Sequence, residues 1–184
     1  MRLAVALFAL LATAGCATAQ PTDAPAPMNA AAAPTAAAPA DTALTDAERT
    51  VRALLQEEGV HVVHFWAPWC DNSTGELAQG WYEVIENNPE VDFTFVTIWS
   101  DGADGAETLQ HYAIPDRVRV LTQTDHGPSA DKPNRRKTFL GMPVTWIPTT
   151  WVFRANGELA YAFNYGEVTM PQLQQAIDGV TRDW

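Results

Sequence analysis

Residues 60–66 read Val-His-Val-Val-His-Phe-Trp and run without a turn signal into Ala67-Pro68-Trp69-Cys70-Asp71-Asn72-Ser73. Val60, Val62 and His64 fall on one face of an extended chain, and His61, Val63 and Phe65 on the other. A strand apolar on both faces needs cover on both sides, which fits a central strand of a layered α/β structure and neither an open antiparallel sheet nor a helical bundle. Cys70 follows directly from its end, where a helix is expected to begin.

The neighbouring segments agree with that layering. Thr45-Ala47-Glu48 has capping-box spacing, and Val51, Leu54 and Leu55 recur at helical intervals before Gly59. After Cys70, the residues Leu77, Trp81, Val84 and Ile85 predict one helix, ended by Asn87-Asn88-Pro89. Residues 91–99 predict a second buried strand, 106–113 a short helix, 118–121 a short strand and 122–141 a polar, turn-rich inserted loop. Residues 149–154 and 158–164 flank Ala155-Asn156-Gly157, whose Asn-Gly pair predicts a hairpin. Thr169 is placed to cap a last helix presenting Leu173, Ala176, Ile177 and Val180.

The N-terminus has a different character. Arg2 precedes the apolar run of residues 3–11, too short to span a bilayer and suited to a secretory signal. Thr13-Ala14-Gly15-Cys16 resembles a bacterial lipoprotein box, which makes Cys16 the expected lipidation site, and Ala17-Thr18-Ala19 resembles an ordinary cleavage site. Residues 1–19 are therefore expected to be a signal segment, lipoprotein or secretory. Residues 20–43, almost entirely Ala, Pro and Thr, are expected to be a disordered tether, because they hold too little apolar surface to offset chain entropy. Residues 44–184 make up one domain.

The chain has 22 acidic and 11 basic residues, a net charge of −11. Loss of residues 1–19 removes one cation, Arg2, and makes the balance −12. That charge disfavours nucleic acid and anionic lipid as partners. The one basic cluster, Lys132-Pro133-Asn134-Arg135-Arg136-Lys137, has no interleaved aromatic residue and reads as a solvated loop.

Of the two cysteines, only Cys70 lies in the expected domain, so any thiol chemistry there is the chemistry of one thiol. A cysteine acts through its thiolate, which helix N-terminal amides favour and the neighbouring Asp71 carboxylate opposes. His61 and His64 face opposite sides of the strand, while His111 and His126 sit in unrelated segments, so no metal-ligand spacing emerges. Neither a phosphate-binding glycine loop nor a serine elbow is present, and no cofactor is expected.

The run Val62-Val63-His64-Phe65-Trp66-Ala67-Pro68-Trp69-Cys70 resembles the active-site approach of the thioredoxin superfamily. Ile147-Pro148-Thr149, followed by strand, Asn-Gly turn and strand, resembles its cis-proline element. The long connection between helix and proline is more similar to exported proteins of the TlpA kind than to thioredoxin itself. The resemblance covers essentially residues 44–184. It implies an α/β thioredoxin-like fold, a central mixed β-sheet flanked by helices, with the inserted loop before the cis-proline strand.

By the same resemblance Cys70 takes the attacking position, and Ser73 stands where a resolving cysteine is usual. A serine hydroxyl has negligible alkoxide at neutral pH and cannot release a mixed disulfide, so dithiol cycling within the chain is excluded. Ser73 has two open roles: helix capping through Ser73-Thr74-Gly75-Glu76, or a hydrogen bond to the Cys70 thiolate. His64 takes the position that often carries a buried acid, which implies a proton-transfer role; the competing reading is a hydrogen-bonded core histidine. A cis Pro148 would leave the Ile147 backbone free to pair with an extended client, and Trp69 is the tryptophan expected to be exposed beside the thiol, with Trp66, Trp146 and Trp151 in the core.

The expected function is thiol-disulfide exchange through Cys70 alone, forming mixed disulfides with protein or small-molecule thiols that an external or client thiol resolves. The expected location is the periplasm or cell envelope, as an anchored lipoprotein with the outer membrane favoured. The alternative from another class is a non-catalytic binding module, holding clients at the cis-proline groove with Cys70 incidental.

Overall fold

A computed structural model of the chain describes residues 43–182; Cys16 and most of the expected signal and tether segments lie outside the described residues. Five helices, α1 (Asp46–Leu54), α2 (Asp71–Leu77), α3 (Trp81–Glu86), α4 (Ala106–His111) and α5 (Met170–Thr181), alternate with strands β1 (His61–Trp66), β2 (Asp92–Thr97), β3 (Arg119–Thr122), β4 (Thr138–Phe139), β5 (Met142–Pro143), β6 (Thr149–Phe153) and β7 (Leu159–Asn164). The main sheet has the order β3-β2-β1-β6-β7, with β4 and β5 forming a separate two-stranded ribbon.

The central position of β1 follows from its composition, since all six residues are buried. It pairs in parallel with β2 and antiparallel with β6. Val62 and Trp66 point into one apolar layer with Trp81, Val84, Ile85, Leu173 and Ile177 from α3 and α5. Val63 and Phe65 point into the opposite layer with Ala47 and Val51 of α1, Trp99, Phe139, Ile147 and Trp151. Phe65 meets Phe139 and Trp151 edge-on at centroid separations of 4.9 and 4.6 Å, the geometry that aromatic quadrupoles prefer.

The residues predicted to form a single helix after Cys70 form two. Gly80 breaks the chain between α2 and α3 with φ of 125°, a conformation only glycine adopts readily, while Leu77, Trp81, Val84 and Ile85 all remain buried. Apolar periodicity persists across the break, so the sequence pattern reads as continuous. The capping box at Thr45 and Glu48 forms as the spacing predicts, and the Asn-Gly turn joins β6 to β7.

The inserted loop is less solvated than its polarity suggests. It carries a short 3-10 turn (Lys132–Asn134) and strand β4, which pairs with β5 just beyond it, and it is bonded into the rest of the domain at several points. Thr45 Oγ1 donates to Gln123 Oε1 at 2.7 Å, Leu140 N–H to Glu48 Oε1 at 2.8 Å, and the Trp99 indole to the Arg136 carbonyl at 2.7 Å.

Candidate active site at the C-terminal end of β1

The register brings distant segments to one end of the sheet. Phe65 stands opposite Thr149, so Cys70, just beyond β1, and Pro148, just ahead of β6, lie at the same edge of the sheet. Trp66 pairs with Thr97 of parallel β2, and the Ile98 N–H donates to the Trp66 carbonyl, which carries Trp99 to that end as well. The Ile147–Pro148 peptide bond is cis. The Ile147 side chain is buried, and its N–H and C=O make no hydrogen bond among the described residues.

Cys70 is the N-cap of α2, in an extended conformation with φ of −95° and ψ of 114°. Its carbonyl accepts from Thr74 N–H at 3.0 Å. The side chain is partly buried against the apolar layer that contains Ile147, Phe139 and Val144, and it is the free thiol among the described residues. Because Cys70 holds the cap position, Ser73 does not: it lies in the first turn, fully buried, and its Oγ accepts the Ala67 N–H at 3.3 Å. The capping role expected of Ser73 is thus corrected. Its hydroxyl instead ties α2 to the chain that leaves β1.

His64 lies beneath this corner with no exposed surface. Nδ1 shares a 3.0 Å hydrogen bond with Thr150 Oγ1, its partner in the β1-β6 register, and the ring packs against Trp81 and Phe95 at centroid distances of 4.6 and 4.8 Å. Nε2 is buried without a partner. Burial among aromatic rings pushes the imidazole down to about 3, so at neutral pH it is uncharged and only weakly basic. That corrects the expectation of a base titrating near neutrality.

The group that titrates there is one the sequence reading missed. Glu76, on α2, turns inward, with its side chain 14% exposed. Oε1 accepts from the Trp81 indole at 3.4 Å and lies 3.9 Å from His64 Nδ1. Desolvation raises this carboxyl to about 7, against a smaller lowering by the Trp81 hydrogen bond. The 3.9 Å approach is therefore no ion pair: between about pH 3 and 7 both groups are neutral, and above 7 only Glu76 is charged. The capping-box spacing from Ser73 was the sole sequence signal at Glu76, and it pointed to the wrong role.

The tryptophans divide differently from expectation. Trp66 and Trp151 are buried, but both Trp69 and Trp146 are more than half exposed, one beside Cys70 in sequence and the other beside Ile147. The Trp69 indole donates to the Trp99 carbonyl at 2.8 Å. His61, expected on the opposite face from His64, lies 3.7 Å from Asp92 Oδ2 and takes no part in the site.

A mixed sheet with a cysteine capping the helix after its central strand and a cis-proline entering the adjacent antiparallel strand has the thioredoxin-like fold. Solved structures agree. A thiol:disulfide interchange protein of the thioredoxin family from Chlorobium tepidum aligns with a TM-score of 0.53 at 17% identity, over 71% of this chain and 84% of its own. A secreted disulfide oxidoreductase from Mycobacterium tuberculosis aligns at 0.50 and 22%, over 69% and 85%. A DsbF homologue from Corynebacterium diphtheriae aligns at 0.50 and 20%, over 67% and 73%. No protein-family model and no curated protein matches the chain.

Proposed function

We infer that the chain is an envelope thiol-disulfide exchange protein that works through one nucleophile, Cys70. The observation that carries this reading is the meeting of a partly exposed, unpaired thiol at a helix start with the cis Ile147–Pro148 peptide, on a fold that the solved neighbours named above use for disulfide chemistry. The Cys70 thiolate attacks a client disulfide, forms a mixed disulfide and releases the client's other sulfur as thiolate; an external thiol, or a second thiol on the client, then attacks the client sulfur of the mixed disulfide, forms a new S–S bond and releases Cys70 as thiolate. Ser73 cannot resolve it. Trp69 and Trp146 supply the apolar walls, and Ile147 the unpaired backbone groups, for an extended client segment.

Glu76 acts as the proton-holding neighbour of the site, changing its charge in the pH range where thiols begin to ionise. It stands six residues beyond Cys70, about 9 Å along the helix axis, so its influence runs through its field and not by contact. His64 is a positioning residue that holds Thr150 and walls the Glu76 carboxyl. The N-terminal apolar run and Ala14-Gly15-Cys16 support export and anchoring through lipidated Cys16, and the small residues after Cys16 allow an outer-membrane destination.

The exposed Trp69 and Trp146 favour one second reading, a binding module in which Cys70 is incidental. Trapping separates the two. Cell-envelope extracts quenched with acid and alkylated should show Cys70-dependent mixed disulfides on non-reducing gels, absent from Cys70→Ser; client capture that survives unchanged in Cys70→Ser, without such adducts, would establish the binding module instead.

A further inference from the structure

The inserted loop reaches the residue before Cys70 through Arg135, part of the cluster that reads in sequence as solvated. Its guanidinium carbon lies 5.2 Å from the centre of the Trp69 ring and 5.4 Å from that of Trp99, and its Nε–H donates to the Ser129 carbonyl at 2.7 Å. Ser129 is in turn held by Asp101 Oδ1, which accepts its N–H at 2.6 Å. The Trp99 indole is fixed on the Arg136 carbonyl and the Trp69 indole on the Trp99 carbonyl. Every side of this stack is therefore anchored, and one of its rings belongs to the residue before Cys70.

A guanidinium offers five N–H donors, and Arg135 uses one. Among the described residues its terminal nitrogens make no hydrogen bond, and no carboxylate lies within ion-pair distance. Asp125 feels its charge, and accepts the Arg136 N–H at Oδ1 while its Oδ2 is buried without a hydrogen-bond partner, but it makes no ion pair with Arg135. A half-buried cation held rigid with its fork unfilled is unusual in a chain with twice as many acids as bases, where a partner would be easy to supply.

We propose that Arg135 is a specificity-determining residue that receives a carboxylate carried by the disulfide partner of Cys70. The inference rests on the thiol-exchange reading. The carboxylate sits either on an acidic residue next to a client cysteine or on a small organic thiol, and in both it meets the planar fork in the geometry that favours arginine over lysine. The Cys70 thiolate then attacks the partner's sulfur, one S–S bond forms as the other breaks, and the leaving thiolate takes a proton from water; no further oxidant or reductant is needed.

The test compares second-order rates of mixed-disulfide formation at Cys70 with 3,3′-dithiodipropionate, which bears two carboxylates, and the neutral bis(2-hydroxyethyl) disulfide. A peptide pair, with cysteine as its 2-mercaptoethanol mixed disulfide and flanked by Glu or by Gln, repeats the comparison for a protein source. The ratio of anionic to neutral rates is expected to fall about fivefold in Arg135→Gln and less in Arg135→Lys, with Lys132→Gln, which removes one exposed charge from the same loop, holding the wild-type ratio. The ratio cancels any general disturbance of the stack. A loss confined to the peptide pair assigns the carboxylate to a client protein, and one confined to dithiodipropionate assigns it to a small thiol. A ratio unmoved in Arg135→Gln, or lowered equally in Lys132→Gln, overturns the inference alone; a wild-type Cys70 inert toward the neutral disulfide overturns the exchange reading and this inference with it.

Discussion

Replacing Glu76 by Gln keeps the shape of the side chain and removes its titration, so the variant isolates what a buried carboxyl costs. Glu76 is raised from 4.5 to about 7 in the folded chain. Between those values the folded state binds the proton more tightly than the unfolded state, so stability is greatest at low pH and declines as pH rises through the window, levelling above 7. At about 1.36 kcal/mol for each unit, the loss is about 3 kcal/mol. His64 works in the opposite sense: its pKa falls from 6.5 to about 3, so the stability contributed by its neutral burial is present above 6.5 and disappears as pH falls toward 3. In the wild type the two slopes nearly offset each other between pH 4.5 and 6.5. Of these two slopes, Glu76→Gln leaves only that of His64.

Urea unfolding of the two proteins from pH 4.5 to 8 therefore reads the carboxyl directly as a difference. The variant is expected to come within about 0.4 kcal/mol of the wild type near pH 4.5, where Glu76 is protonated in the folded chain and half protonated in the unfolded one, and to exceed it by about 3 kcal/mol at pH 8. A difference that stays constant with pH would refute the assignment of Glu76 as the buried titrating group. A difference that shrinks as pH rises would refute the sign of its shift.

Four shorter predictions test other parts of the structure. Ser73→Cys installs a thiol three residues from Cys70, and mixed disulfides that accumulate in the wild type should become short-lived on acid-quenched gels; persistence at wild-type levels would place the new thiol out of reach. Thr150→Val leaves both His64 nitrogens without a hydrogen-bond partner and should cost about 1–3 kcal/mol in urea unfolding at pH 7. Gly105→Ala puts a methyl 2.5 Å from the Trp66 ring at a residue with φ of 71°, and should cost about 1–3 kcal/mol in the same assay. Ile177→Ala, at a site with no exposed surface, should cost about 2–5 kcal/mol.

What the sequence disclosed is set by how local the governing physics is. Residues 60–66 announce a central strand because burial on both faces leaves no polar register, and Asn156-Gly157 announces its hairpin because the turn needs those residues. Thr45 and Glu48 announce a helix start three residues apart. The break at Gly80 was hidden because Leu77, Trp81, Val84 and Ile85 keep helical spacing through it. Glu76 was hidden because its burial depends on Trp81 and His64, which reach it from different elements. Arg135 read as solvated because its two aromatic partners are supplied by segments 66 and 36 residues earlier in the chain. Trp146 read as core because its exposure depends on how the chain enters the Ile147–Pro148 bond.

The pairing of β1 with β6 joins residues far apart in the chain, such as His64 and Thr150, separated by 86 positions. Contacts of that separation form late, after shorter loops have closed. Until they do, Cys70 lacks the proline edge beside it and is an ordinary thiol in a loose polypeptide. Under the exchange reading, the selectivity of the site is thereby made conditional on completion of the sheet, because only the finished sheet sets the proline edge beside the thiol.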